Sequence, residues 1–266
     1  MRKYIYELAG KVERRLQNIS ENEDYSFEFG RAEERNQFAK DHWKFLECIP
    51  NLREAAKISF IRQFPNLTNG DYIILALSKL CLDNFMEIML LCSNRFGDGA
   101  FIILRSMFEK LVNARYLHMH PEKAESFMKF FFVHMRTVKN QIASTYGEDK
   151  ISESYKNLVE TNFDQVRGEF TFTIGSGKER TKSSWSDMGF VDMAIHVGLK
   201  DFIVPAYYLP IERAHPSVPS VMAQSKDIGD GKRVLFDENP ERERDISSDA
   251  LVIGHKLLIE MFIFAA

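Results

Sequence analysis

Apolar and polar positions alternate along this chain with a helical period over most of its length. From Tyr4 to Ile19, the residues Ile5, Leu8, Val12, Leu16 and Ile19 recur at steps of three and four, with charges on the opposite face. A polar gap covers Ser20 to Gly30. The next pattern, Arg31 to Ile49, carries Phe38, Trp43, Phe45 and Leu46, and Pro50 should end it. A shorter helix is expected from Leu52 to Phe64. Asn69-Gly70-Asp71 offers a cap for a long helix from Tyr72 to Arg95. Gly97-Asp98-Gly99 then separates it from another, Ala100 to His118. Pro121 suits the first turn of a helix reaching Tyr146. In their middles these three are apolar all round, as in Phe101-Ile102-Ile103-Leu104 and Phe130-Phe131-Phe132-Val133, so they are expected to form the centre of a bundle.

The second half is more broken. Ile151 to Phe172 is helical by period, although Thr171 to Ile174 suits an extended strand. Gly175 to Ser184 combines two glycines, three serines and charged residues; it is the clearest loop in the chain and should be a mobile segment. Helices near Asp187–Val197 and Asp201–Arg213 follow, the second kinked by Pro205 and Pro210. Lys226 to Asp245 is polar and turn-rich, with room for a small hairpin around Val234-Leu235-Phe236. A last helix runs from Ile246 onward. It stops on Ile263-Phe264-Ala265-Ala266 without a polar cap, as expected of a buried end or of a longer chain. The class is therefore all-α: a single large multi-helix bundle with at most a small C-terminal hairpin. Residues 1–65 form an N-terminal helical segment and 66–266 the helical-bundle core.

Composition supports this reading. Of 266 residues, 45% are apolar and 27% charged, with only 14 glycines and 8 prolines but 22 phenylalanines. That excludes a disordered, collagenous or purely coiled-coil chain. The net charge of −3 gives no global field for nucleic acid or an anionic membrane and leaves only local patches to consider. Cys48, Cys81 and Cys92 are too few and scattered for a disulfide framework, and each reads as a small core residue. Met1-Arg2-Lys3-Tyr4 leads into a charged amphipathic segment, unlike a secretion signal, and no apolar run approaches the roughly 20 residues of a membrane span. A cytoplasmic, membrane-free protein is expected.

Candidate chemistry is sparse. Gly97-Asp98-Gly99 lacks the Lys-Ser/Thr of a phosphate loop and reads as a plain turn. No Gly-x-Ser-x-Gly elbow is present. Glu212 and His215 provide one Glu-x-x-His spacing where a di-iron bundle needs two, so neither metal nor cofactor is expected. Arg35…His42 and Arg115…His120 fit the Arg-then-His spacing of helical ribonucleases of the higher-eukaryote-and-prokaryote-nucleotide-binding (HEPN) type, at the frequency chance gives seven histidines.

More informative is Arg105-Ser106-Met107-Phe108-Glu109, where Arg and Glu share a helical face with Phe101, Val112 and Tyr116. In so apolar a setting the pair is either a desolvated structural clamp or a charged element of a site. Tyr207-Tyr208-Leu209-Pro210-Ile211-Glu212-Arg213-Ala214-His215-Pro216-Ser217 gathers polar groups amid prolines. There His215 suits proton transfer, and Tyr208 and Ser217 suit hydrogen bonding. Arg has five donors to satisfy, so His215 or Tyr208 is expected to approach Arg105 and Glu109.

In order, the Arg105-x-x-x-Glu109 helix, Trp185 opening a helix, and Tyr208 followed by His215-Pro216-Ser217 resemble a bacterial all-helical family of unknown function. In that family an Arg-Ser-x-x-Glu helix and a later Tyr…His element recur. The resemblance covers residues 70–266. The family is itself similar to HEPN-like proteins in being helical and in occurring among defence-associated genes. It implies a defence-associated effector acting on RNA or a nucleotide, with Arg105, Glu109 and His215 as catalytic candidates and Tyr208, Ser217 and Trp185 as ligand-binding ones. The alternative is a non-enzymatic binding or scaffold module of a defence or toxin–antitoxin-like system, with a protein partner or a homodimer. RNA cleavage without metal would favour the first, and a stable partner without turnover the second.

Overall fold

A computed structural model describes residues 31–61, 67–175, 177–215, 222, 225–235 and 240–265. The expected Tyr4–Ile19 helix lies outside them. The described chain is mainly helical, with two short hairpins and a run of bends at 183–188. Short helices α1 (Ala32–Asp41), α2 (Trp43–Leu46) and α3 (Ile49–Ile61) lead in. Pro50 occupies the first turn of α3 instead of ending α2, a position where its missing N–H has no partner to lose. Next come α4 (Asn69–Ser93) and α5 (Gly97–Met119), which form an antiparallel pair. Thr68 and Asp71 close a reciprocal capping box at the start of α4. The chain turns back at Arg95, which adopts a left-handed φ of 58°.

The long C-terminal helix α10 (Pro240–Ala265) lies along both, starting six residues earlier than its polar first turn suggests. It runs parallel to α5. Gly97 marks a close approach of the two backbones: a Cβ there would stand 2.5 Å from the Ile246 side chain and 2.8 Å from the Ser247 amide, whereas one on Gly254 would meet only the side chains of Ile88 and Leu104. Phe85, Ile88, Leu104, Leu111, Leu257 and Met261 are buried in the core these helices share, and Phe108 packs in the same core against Phe190 and Phe202. Phe38 and Ile49 pack into the same core, which ties α1 and α3 to it. Cys81 and Cys92 are buried there, and desolvation pushes both thiols up to about 12. Cys48, expected in the core, is exposed.

The centre is therefore α4, α5 and α10, not the expected run ending at Tyr146. That run is α6 (Ala124–Tyr146), which pairs with α7 (Glu153–Phe170) through Gly147 (φ 99°) as a separate layer. Its own small core is Phe130, Val133, Phe163, Val166 and Phe170. Lys139 and Arg136 both hold Glu160, and Arg136 also lies 4.0 Å over Phe163.

After α7 the chain forms a hairpin from β1 (Thr171–Thr173) and β2 (Glu179–Thr181). The extended Thr171 segment matches expectation, but its partner strand falls inside the stretch expected to be a mobile loop. Arg167 grips Glu179, and the Lys182 amide reaches the Phe170 carbonyl at 2.8 Å, so this stretch is anchored. Bends through 183–188 lead to α8 (Phe190–His196). A π-helical turn, Val204–Tyr208, then runs into α9 (Leu209–Ala214), the break foreseen from Pro205 and Pro210. The expected C-terminal hairpin is β3 (Ser225–Gly229) with β4 (Lys232–Leu235), turning through Asp230 and Gly231, both at positive φ. Among the described residues, no helix is long and apolar enough to cross a membrane.

Candidate functional site

One outward face of α5 carries Arg105, Glu109 and Asn113 at successive four-residue steps, so the three stand one above another. The Arg105 Nε donates to Glu109 Oε1 at 2.9 Å. The Arg105 guanidinium lies 4.6 Å over the ring of Tyr207, which stacks on Phe190 at 4.7 Å between centroids. The two charged side chains are 32% and 40% exposed, so the pair is not desolvated as a structural clamp requires. The reason lies in the packing: α6 and α7 form their own layer beside this face and leave it open. Glu109 Oε2 has no partner among the described residues.

What faces the pair is a cleft of about 480 Å³ between α5, α6, the 183–185 bend and α8. Asn113 forms one wall. Its amide donates to the Glu109 carbonyl at 2.8 Å, and its Oδ1 accepts the Trp185 indole N–H at 3.0 Å. That bond fixes the plane of the indole, which meets Tyr116 and Phe127 edge to face at 5.6 and 5.1 Å. Among the described residues Trp185 packs against all three apolar clusters, so it is the joint where their layers meet. Phe130, Phe131 and His134 of α6 make the opposite wall, and Phe131 is 60% exposed. The cleft thus joins broad aromatic faces to one unsatisfied carboxylate oxygen, a fixed amide and an imidazole.

The expected candidates divide. Glu109 and Trp185 line this cleft, and Arg105 is joined to it only through its bond to Glu109. Tyr208 is exposed and touches Tyr207 edge on; Tyr207, one residue earlier, is the ring beneath Arg105. His215 is not brought to the pair. Helix α9 runs antiparallel to α5, so Arg213 reaches Asp98 and lies 4.6 Å over Phe101. His215 sits past that end, beyond the seven residues (about 10 Å of helix) that separate Asp98 from Arg105. The convergence expected of His215 and Tyr208 on Arg105 and Glu109 is thus replaced by contact from Tyr207 alone. Ser217 lies outside the described residues.

The two Arg-then-His spacings are absorbed into packing. Arg35 bonds Asn94, and His42 lies tilted against Phe38 at 4.5 Å between ring centroids. Arg115 pairs with Glu260. His120 instead meets His196, their Nε2 atoms 3.0 Å apart, with Tyr116 beneath both rings. Sequence reasoning missed this pair, as it missed Asn113 and His134. Asn113 could have been found from its four-residue step past Glu109, and His134 from the Phe130-Phe131-Phe132 run before it, which holds more apolar surface than one buried helix face can use. Among the described residues no three His, Cys, Asp or Glu are grouped to hold a metal.

A family model, described as a family of unknown function (DUF5677), matches residues 71–231, a span that contains every residue of the cleft. No curated protein and no solved structure matches the chain.

Proposed function

We propose, for a chain that belongs to this family of unknown function (DUF5677), that the cleft binds a planar heterocycle of the nucleobase kind. The protein is then a nucleotide- or RNA-binding helical effector, bacterial and HEPN-like, of the defence-associated kind the resemblance implies. The single observation that carries this reading is the facing of Trp185, Phe130 and Phe131 across an open cleft whose rim holds the unsatisfied Glu109 oxygen. Base-on-aromatic stacking contributes about 1–3 kcal/mol per base. Stacking alone is tolerant of sequence, and a carboxylate adds choice, because it accepts from ring and amino N–H groups and repels bare acceptors. Guanine, with N1–H and the exocyclic amine side by side, suits it best. The position of His215 beyond the Asp98 end favours binding over turnover at this cleft.

Trp43 and Trp185 are the two tryptophans, so Trp43→Phe leaves Trp185 as sole reporter. Guanosine should quench its fluorescence saturably, adenosine and cytidine less and uridine least. Phe131→Ala should weaken guanosine about tenfold, the equivalent of one lost stacking contact. Absence of saturable quenching by any of the four nucleosides would overturn the reading.

A further inference from the structure

A second cleft, of about 530 Å³, shares Ser183 and Ser184 as wall residues with the aromatic one; Phe172 and Met188 give it apolar lining, and Arg180, Lys182, Ser186 and Asp187 its charged and polar lining. Its charges are unevenly spent. Asp187 is its only acidic residue, and it is already taken by Lys182 at 2.8 Å and by Lys123 at 3.6 Å. Those ammonium groups, Lys182 first, hold the Asp187 carboxyl below the usual range, so it stays ionised and occupied. Glu179, beside Arg180 in the strand, is gripped by Arg167. Arg180 itself, opposite Phe172 in the hairpin register, has no carboxylate partner among the described residues.

The backbone contributes as well. Residues 183–188 are consecutive bends, and the amides of Ser183 and Ser184 have no acceptor among the described residues. Unpaired backbone N–H groups beside a hydroxyl and a guanidinium form an anion-binding concavity. An arginine is well suited to it, since its fork matches the oxygens of a phosphate.

We infer that this second cleft is the phosphate subsite of the same ligand, with Arg180 as its principal cation. This rests on the nucleobase reading of the first cleft. The shared Ser183–Ser184 wall places a base on one side and a phosphate on the other, as a nucleoside monophosphate or one residue of an RNA strand requires. The ligand class is therefore a nucleoside phosphate, free or within a chain.

The Trp43→Phe protein, alone and with Arg180→Gln or Arg180→Lys, is titrated with guanosine, guanosine 5′-monophosphate and a short guanosine-containing oligoribonucleotide. The monophosphate should bind at least tenfold tighter than guanosine. Arg180→Gln should erase that advantage while leaving guanosine affinity unchanged, and Arg180→Lys should keep part of it. Raising the salt should weaken the monophosphate and leave the nucleoside unaffected. Equal affinity for guanosine and its monophosphate, or an advantage that survives Arg180→Gln, would overturn the subsite and leave the base cleft standing. Inorganic pyrophosphate separates the opposite case. If no nucleoside binds, a pyrophosphate-induced rise in melting temperature that Arg180→Gln abolishes supports the anion site alone, and no rise overturns it. An oligoribonucleotide binding tighter than the monophosphate assigns RNA as the source; equal affinities assign the free nucleotide.

Discussion

Two points along α5, one at its start and one at its middle, set an arginine over an aromatic ring and onto a carboxylate, yet the first is closed and the second open. At the first, Arg213 lies over Phe101 and holds one oxygen of Asp98, while Arg242 of α10 holds the other at 3.2 Å. Three elements meet there with both carboxylate oxygens occupied. At the second, Arg105 lies over Tyr207 and holds one oxygen of Glu109, and the other oxygen looks into a cleft. The pairing chemistry is the same. What differs is whether a third element arrives to use the remaining valence: α10 crosses the Gly97 end, while α6 stands back from Glu109. An ion pair therefore becomes a candidate site through what its surroundings leave undone, not through the pair itself.

The largest expected effect belongs to the closed end. Gly97→Ala would put a Cβ within 3.0 Å of the Ile246 and Ser247 backbone, which cannot swing aside as a side chain can. Forcing α5 and α10 apart should cost about 1–3 kcal/mol in urea unfolding. Wild-type stability in this variant would show that α10 yields there, and the closed end would not be closed.

Next comes a direct exchange of roles. Asp98→Asn leaves two arginines with a neutral acceptor and, discounted for its partial exposure, should cost about 1 kcal/mol without touching guanosine binding. Glu109→Gln removes an exposed pair four residues apart on a helix, so it should cost only about 0.3–0.5 kcal/mol. Guanosine affinity should nevertheless fall about tenfold in that variant, because the amide replaces an acceptor with a donor. If Glu109→Gln destabilised as much as Asp98→Asn and left binding intact, Glu109 would be a clamp after all.

Much of this was legible in the sequence at the level of helices. The capping residues before Tyr72, the glycines at 97 and 99 and the 3.6-residue period place α4 and α5 with only small shifts at their ends. The Arg105–Glu109 pair follows from spacing alone. Its setting does not, because periodicity shows which residues share a face but not which helix arrives to cover it. The all-apolar Phe130 run suggested a central helix, whereas its residues are used differently: Phe130 belongs to a small core and shows only an edge to the cleft, and Phe131 stands exposed on the cleft wall. His215 illustrates the converse. Its polar neighbourhood suggested proximity to Arg105, but the antiparallel docking of α9 carries it to the other end. The direction in which a short helix packs is a tertiary property.

The smallest effect comes from a polar group at the far limit of the comparison. His255, on α10, is surrounded by apolar rings: Phe45 meets it edge on at 4.7 Å and Phe85 lies 6.2 Å away. Burial holds its pKa below the ordinary 6.5, since desolvation penalises the imidazolium and no carboxylate offsets it. The sign follows from proton counting. Between the depressed folded value and 6.5, the unfolded chain binds a proton that the folded chain does not. Stability is therefore fully present above pH 6.5, falls as the pH drops through that window, and levels off once the folded imidazole also protonates. His255→Phe removes the proton and keeps a ring against Phe45 and Phe85, so its stability should be flat over the same window. Melting temperatures of the two proteins, read in steps from pH 7.5 downward, should run parallel above 6.5, and below it the wild type should fall relative to His255→Phe. Parallel curves throughout would mean that water reaches the imidazole, and that the core beside α10 is open where the packing closes it.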